Sequence, residues 1–120
     1  MTNVLVIEDN EKNRYLISFI LKGAGYTVFE AITGEDGVRM AESLRPDLVL
    51  MDIQLPGIDG YEATRRIKAI PELKGIPVIA VTSYALAGDE QKTRDAGCDG
   101  YVAKPFSPRQ LLAKVREFVG

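Results

Sequence analysis

The sequence predicts an α/β domain: a parallel five-stranded sheet with helices packed on both of its faces. Two observations lead there. Short, wholly apolar runs such as Val4-Leu5-Val6-Ile7 and Leu48-Val49-Leu50-Met51 are the length of strands buried on both faces, and turn signals bound them. Between such runs lie segments whose apolar residues recur at helical spacing, and strands alternating with helices imply parallel pairing through right-handed crossovers. A third observation concerns function. Four of the strands end in polar side chains, and in parallel sheets the ligand site lies outside those carboxyl ends, where strand order reverses.

The first strand, Val4 to Ile7, runs into Glu8-Asp9-Asn10. The next segment places Asn13, Leu16, Ile17, Ile20, Leu21 and Ala24 on one broad helical face, closed by Gly23 and Gly25. Tyr26 to Ala31 is aromatic and β-branched but mixed in polarity, as an edge strand would be. Thr33 caps a second helix carrying Val38, Ala41 and Leu44, which stops before Pro46. The third strand ends at Asp52 and gives way to Ile53-Gln54-Leu55-Pro56-Gly57. Asp59 and Glu62 then have capping-box spacing, opening a helix with Ala63, Ile67 and Ile70 inward and Arg65, Arg66 and Lys68 outward, ended by Pro71.

Pro77 to Val81 is a fourth strand, ending in Thr82-Ser83. A weakly amphipathic helix from about Leu86 to Ala96 offers little to bury and is expected to be among the least stable local units. Gly100 to Ala103 forms a short fifth strand before Lys104-Pro105. Ser107-Pro108-Arg109-Gln110 combines an N-cap, proline at the first helical position and a capping-box Gln. Leu111, Leu112, Val115, Phe118 and Val119 supply that helix's buried stripe.

Composition excludes several classes of function. The chain has 120 residues, enough for one full core, with 46% hydrophobic and 27% charged residues and a formal net charge of −2. That charge gives no electrostatic case for nucleic acid or an anionic membrane as a partner. The single cysteine, Cys98, cannot form an internal disulfide and reads as a small buried hydrophobe. With no histidine, a Ser-His-Asp triad, a Cys-His pair and an imidazole-based zinc site are all excluded. No leader-like segment precedes the first strand, and no apolar run approaches the ~20 residues that cross a bilayer. The expectation is a cytoplasmic, monomeric single domain over residues 1–120.

For an isolated Asp at a strand end, a turn would be the ordinary reading of Asp52. The convergence of Glu8, Asp9, Asp52, Thr82 and Lys104 on one sheet edge points elsewhere. Three carboxylates in one pocket repel one another unless a cation intervenes, and three hard oxygen donors favour Mg²⁺ over zinc or copper. In such a pocket Asp52 is placed to attack a phosphoryl group whose oxygens a cation clamps. Lys104 would offset the charge that develops, and the Thr82 hydroxyl could bond one of the oxygens. A phosphohistidine donor would have to belong to a partner.

The motifs Val6-Ile7-Glu8-Asp9-Asn10, Leu50-Met51-Asp52-Ile53-Gln54-Leu55-Pro56-Gly57, Ala80-Val81-Thr82-Ser83 and Tyr101-Val102-Ala103-Lys104-Pro105-Phe106 resemble those of response-regulator receiver domains, over essentially the whole chain. The resemblance implies a flavodoxin-like, doubly wound sheet of strand order 2-1-3-4-5, with Asp52 as phosphoacceptor. It implies Mg²⁺ held by Asp9, Asp52 and the Gln54 backbone carbonyl, with Glu8 acting through a metal-bound water. Lys104 would pair with the phosphoryl group across a cis Lys104-Pro105 bond. Thr82 and Tyr101 would form a switch, and the fourth helix, fifth strand and fifth helix a partner-reading face. Gln54 and Tyr84 would flank the route of the hydrolytic water.

A finer likeness, carried by Asn10-Glu11-Lys12-Asn13, Gly88-Asp89-Glu90 and Gly97-Cys98, is to single-domain regulators of the DivK-like cell-division type and to the receivers of hybrid kinases. The implied partners are a sensor histidine kinase or histidine phosphotransfer protein and a downstream protein effector. No output domain is expected, and no enzymatic turnover beyond the domain's own phosphorylation and dephosphorylation. A receiver module excised from a hybrid histidine kinase, or a phosphorylation-independent pseudo-receiver, is the alternative. A haloacid-dehalogenase-type phosphotransferase fits less well, because it wants a second Asp where Gln54 stands. A flavodoxin-like FMN module fits less well too, because Glu8 and Asp9 would repel the phosphate.

Overall fold

The computed structural model describes residues 2–83 and 87–120. Among them, five strands alternate with five helices. In chain order these are β1 (Asn3–Ile7), α1 (Glu11–Gly23), β2 (Thr27–Ala31), α2 (Gly34–Leu44), β3 (Leu48–Asp52), α3 (Gly60–Ala69), β4 (Val78–Thr82), α4 (Ala87–Ala96), β5 (Gly100–Ala103) and α5 (Pro108–Val119). All neighbouring strands are parallel, as the alternation of strands and helices implied, and they lie in the order β2-β1-β3-β4-β5 that the family resemblance implied. The expected helix start at Leu86, and Tyr84, lie outside the described residues. No helix among the described residues is long and apolar enough to cross a membrane.

Successive side chains of a strand point to opposite faces, so each apolar run feeds two cores at once. Leu5, Ile7, Val49, Met51, Val78 and Ala80 pack on one side with Ala41, Ala63, Ile67, Leu73 and Cys98. Val4, Val6, Leu48, Leu50, Ile79, Val81 and Val102 pack on the other with Ile17, Ile20, Leu21, Leu111 and Val115. Helices α2 and α3 thus cover the first face, and α1 and α5 the second. The central strands β1, β3 and β4 are buried almost end to end, whereas only Ala31 of β2 is, which makes β2 the edge strand its mixed polarity suggested.

The helix ends follow local chemistry. Asn10, Thr33, Asp59 and Ser107 each cap a helix by accepting from the backbone N–H three residues on. At α5 the full capping box forms between Ser107 and Gln110, with Pro108 in the first turn. At α3 half of it forms. Asp59 accepts from the Glu62 N–H, while the Glu62 carboxylate turns to Arg65 and Arg66.

Two sequence expectations need correction. The inner stripe of α1 is narrower than its apolar spacing suggested: Ile17, Ile20 and Leu21 are buried, Leu16 is 44% exposed and Ala24 faces water. The stripe centres on Ile17, and Leu16 stands about 100° round the helix from it. Leu16 instead lines a groove with Asn13, Ser83, Lys104, Pro105 and Phe106. Lys68 was expected to point outward from α3. Its stem folds across to the start of β4, where Nζ donates to the carbonyls of Ile76 (2.8 Å) and Lys74 (3.2 Å) and meets Asp99 Oδ2 at 2.9 Å. Loop carbonyls there need a donor, and a long side chain can supply one while covering apolar surface.

Candidate functional site

The strand order reverses between β1 and β3, and the polar strand ends meet there. Beyond Ile7, the N–H of Glu8 still donates to Ala31 O at 3.0 Å, so the ladder with β2 holds the chain straight until the Glu8 side chain has turned into the sheet edge. In β3, Asp52 lies in register with Val81 of β4, and Thr82 lies in register with Ala103 of β5. Lys104 therefore follows directly beyond Thr82, and its N–H donates to Thr82 O at 2.7 Å. The Lys104-Pro105 peptide bond is cis, as expected.

The result is a pit with an acidic floor and one cation. Glu8 is 1% exposed and Asp52 3%, and Lys104 reaches both: Nζ stands 2.9 Å from Glu8 Oε1 and 3.3 Å from Asp52 Oδ1. Asp9 is exposed at the rim, and carboxylate oxygens of Glu8, Asp9 and Asp52 all lie within 4.8 Å of one another. Backbone groups finish the floor. The Gln54 N–H donates to Asp52 Oδ1 at 3.3 Å, and the Asn10 N–H to Glu8 Oε2 at 3.2 Å. Thr82 is 1% exposed on the neighbouring strand, and Tyr101 is half-buried on β5 against the core.

Electrostatics follow from burial. Glu8 is pushed up to about 7, first by desolvation and then by the Asp52 carboxylate beside it, against the pull of Lys104. For Lys104, burial alone would lower the pKa. The hydrogen bond to Glu8 and the charges of Asp52 and Glu8 outweigh burial and hold it above the usual lysine range. Two acids sharing one lysine leave the pit short of positive charge. An oxygen-only donor set of three carboxylates, short of charge and open at the Asp9 rim, fits a hard divalent cation and gives nothing to a soft one.

The structure thus brings together Glu8, Asp9, Asp52 and Lys104, with the Gln54 backbone against Asp52 and Thr82 at the end of the neighbouring strand. It also shows residues that sequence reasoning missed. The amide of Gly60, the first residue of α3, donates to Ile53 O at 2.9 Å, and a Cβ there would sit 2.3 Å from Asp52 O. Only glycine lets the helix approach the acid's own peptide so closely. Arg14 of α1 donates from Nη1 to the carbonyls of Glu8 (3.0 Å) and Asp9 (3.3 Å). Its spacing of four from the Asn10 cap was the only hint in the sequence that it turns back toward that loop.

A five-stranded doubly wound sheet whose switch point carries three clustered acids and a lysine is the architecture of a receiver domain. The chain belongs to the response regulator receiver domain family, whose pattern matches residues 4–116. It is 40% identical to the polar-differentiation response regulator DivK of Brucella anthropi over 118 residues, covering 98% of this chain and 96% of that protein. It is 39% identical to the receiver domain of the sensor histidine kinase PA1611 of Pseudomonas aeruginosa, with a TM-score of 0.93 over 99% of this chain and 98% of that one. That structure holds a magnesium ion coordinated in its active site cleft. The chemotaxis protein CheY4 of Vibrio cholerae superposes with a TM-score of 0.94 at 27% identity, covering 98% of each chain. Receiver domains bind Mg²⁺ in an acidic pocket and interact in general with histidine kinases and downstream effectors.

Proposed function

We propose that this domain is a cytoplasmic phosphorelay receiver that accepts a phosphoryl group from a histidine kinase or histidine phosphotransfer protein onto Asp52. The observation that carries the reading is the shared lysine: one ammonium contacts both the Asp52 and the Glu8 carboxylates in a buried pit that Asp9 opens to solvent. Such an arrangement has little structural use. Burying two acids with one cation is costly, and an apolar core would be at least as stable.

In the transfer, the donor's phosphorus–nitrogen bond breaks as a bond forms between phosphorus and an Asp52 carboxylate oxygen, and the imidazole leaves to take up a proton. Asp9, Asp52 and the Gln54 carbonyl would hold Mg²⁺ directly, with Glu8 acting through a bound water. The metal supplies charge neutralisation for the phosphoryl oxygens. Lys104 leaves Glu8 to pair with the phosphoryl group, and the Thr82 hydroxyl bonds one of its oxygens. The new group brings roughly −1.5 to −2 charges and strong acceptors, which bias a pre-existing two-state equilibrium of Thr82 and Tyr101. The face formed by α4, β5 and α5 carries that change to a protein effector.

We take residues 1–120 as one receiver unit. The similar identities to DivK and to a sensor-kinase receiver are compatible with output by protein contact and with onward phosphoryl transfer. The deciding experiment is labelling from a phosphohistidine donor or acetyl phosphate. Wild-type protein gains an acid- and hydroxylamine-labile label that Asp52→Asn lacks. Equal labelling of the two proteins would refute the assignment, and so would labelling that persists in excess EDTA.

A further inference from the structure

The oxygens of Glu8 and Asp9 do not hold themselves in place. Both side chains spring from the short turn between β1 and α1, where repulsion among the carboxylates of Glu8, Asp9 and Asp52, offset only in part by Lys104, pushes the acids apart. One group opposes that push from behind. The Arg14 guanidinium, on the side chain's 16%-exposed arm, donates from Nη1 to Glu8 O at 3.0 Å and to Asp9 O at 3.3 Å. These are the carbonyls of the two acidic residues themselves, so pinning them fixes the directions in which both carboxylates leave the backbone.

Arg14 is in turn fixed from β2. Its Nε lies 3.5 Å from Glu30 Oε1, while Glu30 Oε2 accepts from the buried Ser18 hydroxyl at 2.5 Å. Glu30 is in register with Val6 of β1, one rung before the Glu8 N–H meets Ala31 O. The edge strand, the first helix and the acidic turn are thereby tied at a single guanidinium. A planar fork suits this task, since it can serve two carbonyls and a carboxylate at once, and an ammonium holds none of them in a set direction.

We propose that Arg14, braced by Glu30 and Ser18, is a positioning residue that holds the Glu8-Asp9 turn in its cation-ready form. This rests on the reading of Glu8, Asp9 and Asp52 as the Mg²⁺ site. Arg14 spends its donors on backbone carbonyls and leaves the carboxylate oxygens to the ion. Mg²⁺ demands near-ideal octahedral geometry, so a loosened turn weakens its binding. The sign of the effect separates this role from a simple charge effect. A positive group beside a cation site repels the cation, so by Coulomb's law alone its removal would tighten binding. Positioning requires the opposite.

The test is calorimetric titration of Mg²⁺ into the metal-free full chain, at low and high salt, for wild type, Arg14→Met, Arg14→Lys and Glu30→Gln. Partners that orient metal ligands change affinity by about ten- to a hundredfold when lost. Arg14→Met is expected to weaken Mg²⁺ by about tenfold at both salt concentrations, at the low end of that range because backbone rather than ligand atoms are held. Arg14→Lys recovers part of the loss, and Glu30→Gln, which keeps an acceptor for Ser18, shows a smaller loss of the same sign. In metal-free Arg14→Met, the backbone amide resonances of residues 8–10 shift while those of β4 and β5 stay in place, which a general loss of stability would not produce. Unchanged or tighter Mg²⁺ binding in Arg14→Met overturns the proposal. Should that variant not fold, an unchanged affinity in Glu30→Gln overturns it equally. Failure of the wild type itself to bind Mg²⁺ removes the underlying site assignment, and is distinct from either result.

Discussion

Lys104 Nζ stands closer to Glu8, at 2.9 Å, than to Asp52, at 3.3 Å. The lysine therefore neutralises Glu8, which in the proposed site reaches the metal through a water, more than Asp52, which would accept the phosphoryl group. In the proposed scheme a divalent ion would compete with this ammonium for the same carboxylates, and the lysine would then be free for its second task. Lys104→Met is accordingly expected to bind Mg²⁺ a few-fold more tightly than wild type while accepting a phosphoryl group at least tenfold more slowly. Calorimetry and the time course of labelling from acetyl phosphate measure the two effects. A variant that loses both together would show the lysine to be needed for building the pit.

The pH dependence follows from Glu8, whose folded-state pKa of about 7 stands above its ordinary 4.5. The native, metal-free protein holds a proton on this group that the unfolded chain releases. Stability of the metal-free protein should therefore fall as pH rises from about 4.5 to 7 and then level off. In the proposed site Mg²⁺ favours the ionised form, so its affinity should rise over the upper part of that window and flatten above it. Urea midpoints at a series of pH values check the first slope, and calorimetry in buffers of different ionisation heat counts the released proton. Glu8→Gln should abolish both slopes.

Thr82 is buried at the end of β4 and reports on switching rather than transfer in the proposed scheme. Thr82→Ala should take up label from a small-molecule donor within about tenfold of the wild-type rate, since one neutral hydrogen bond contributes only ~1 kcal/mol. The chemical-shift response of Tyr101 and α5 to phosphorylation should shrink. Two-dimensional spectra with and without beryllofluoride, a phosphoryl mimic, measure that response. An undiminished change at Tyr101 would separate the hydroxyl from the switch.

Gly60 meets the peptide of Asp52 where a Cβ would lie 2.3 Å from its oxygen and 2.7 Å from Ile53 Cα. Both obstacles are backbone, so neither can step aside cheaply. Gly60→Ala is expected to destabilise the fold by about 1–3 kcal/mol, as overpacking does elsewhere. It should also displace Asp52 enough to slow labelling. Urea unfolding measures the first effect. By contrast Gly23→Ala, where nothing beyond its chain neighbours and its own helix backbone lies within 4 Å of the added Cβ, should leave the urea midpoint unchanged or slightly raised.

Much of this protein was legible in its sequence because the relevant signals are local. Val4 to Ile7, Leu48 to Met51 and Val78 to Val81 are apolar on both faces and short, which only a central parallel strand satisfies. Caps at Asn10, Thr33, Asp59 and Ser107 act within three residues of themselves. Polar residues at the ends of buried strands cannot avoid the sheet edge, so the sequence alone gathers Glu8, Asp52, Thr82 and Lys104 there. Tertiary structure alone decided what those groups touch. That Lys104 is shared by Glu8 and Asp52 depends on the relative heights of β1, β3 and β5. Arg14 reaches back to the acidic turn because Glu30 of an edge strand waits beside it. Lys68 bends inward because loop carbonyls need a donor, and Gly60 is irreplaceable because a helix start abuts a strand end. Periodicity records which side of an element faces the core. The distance between groups far apart in the chain is set by how the elements stack, which no local pattern encodes.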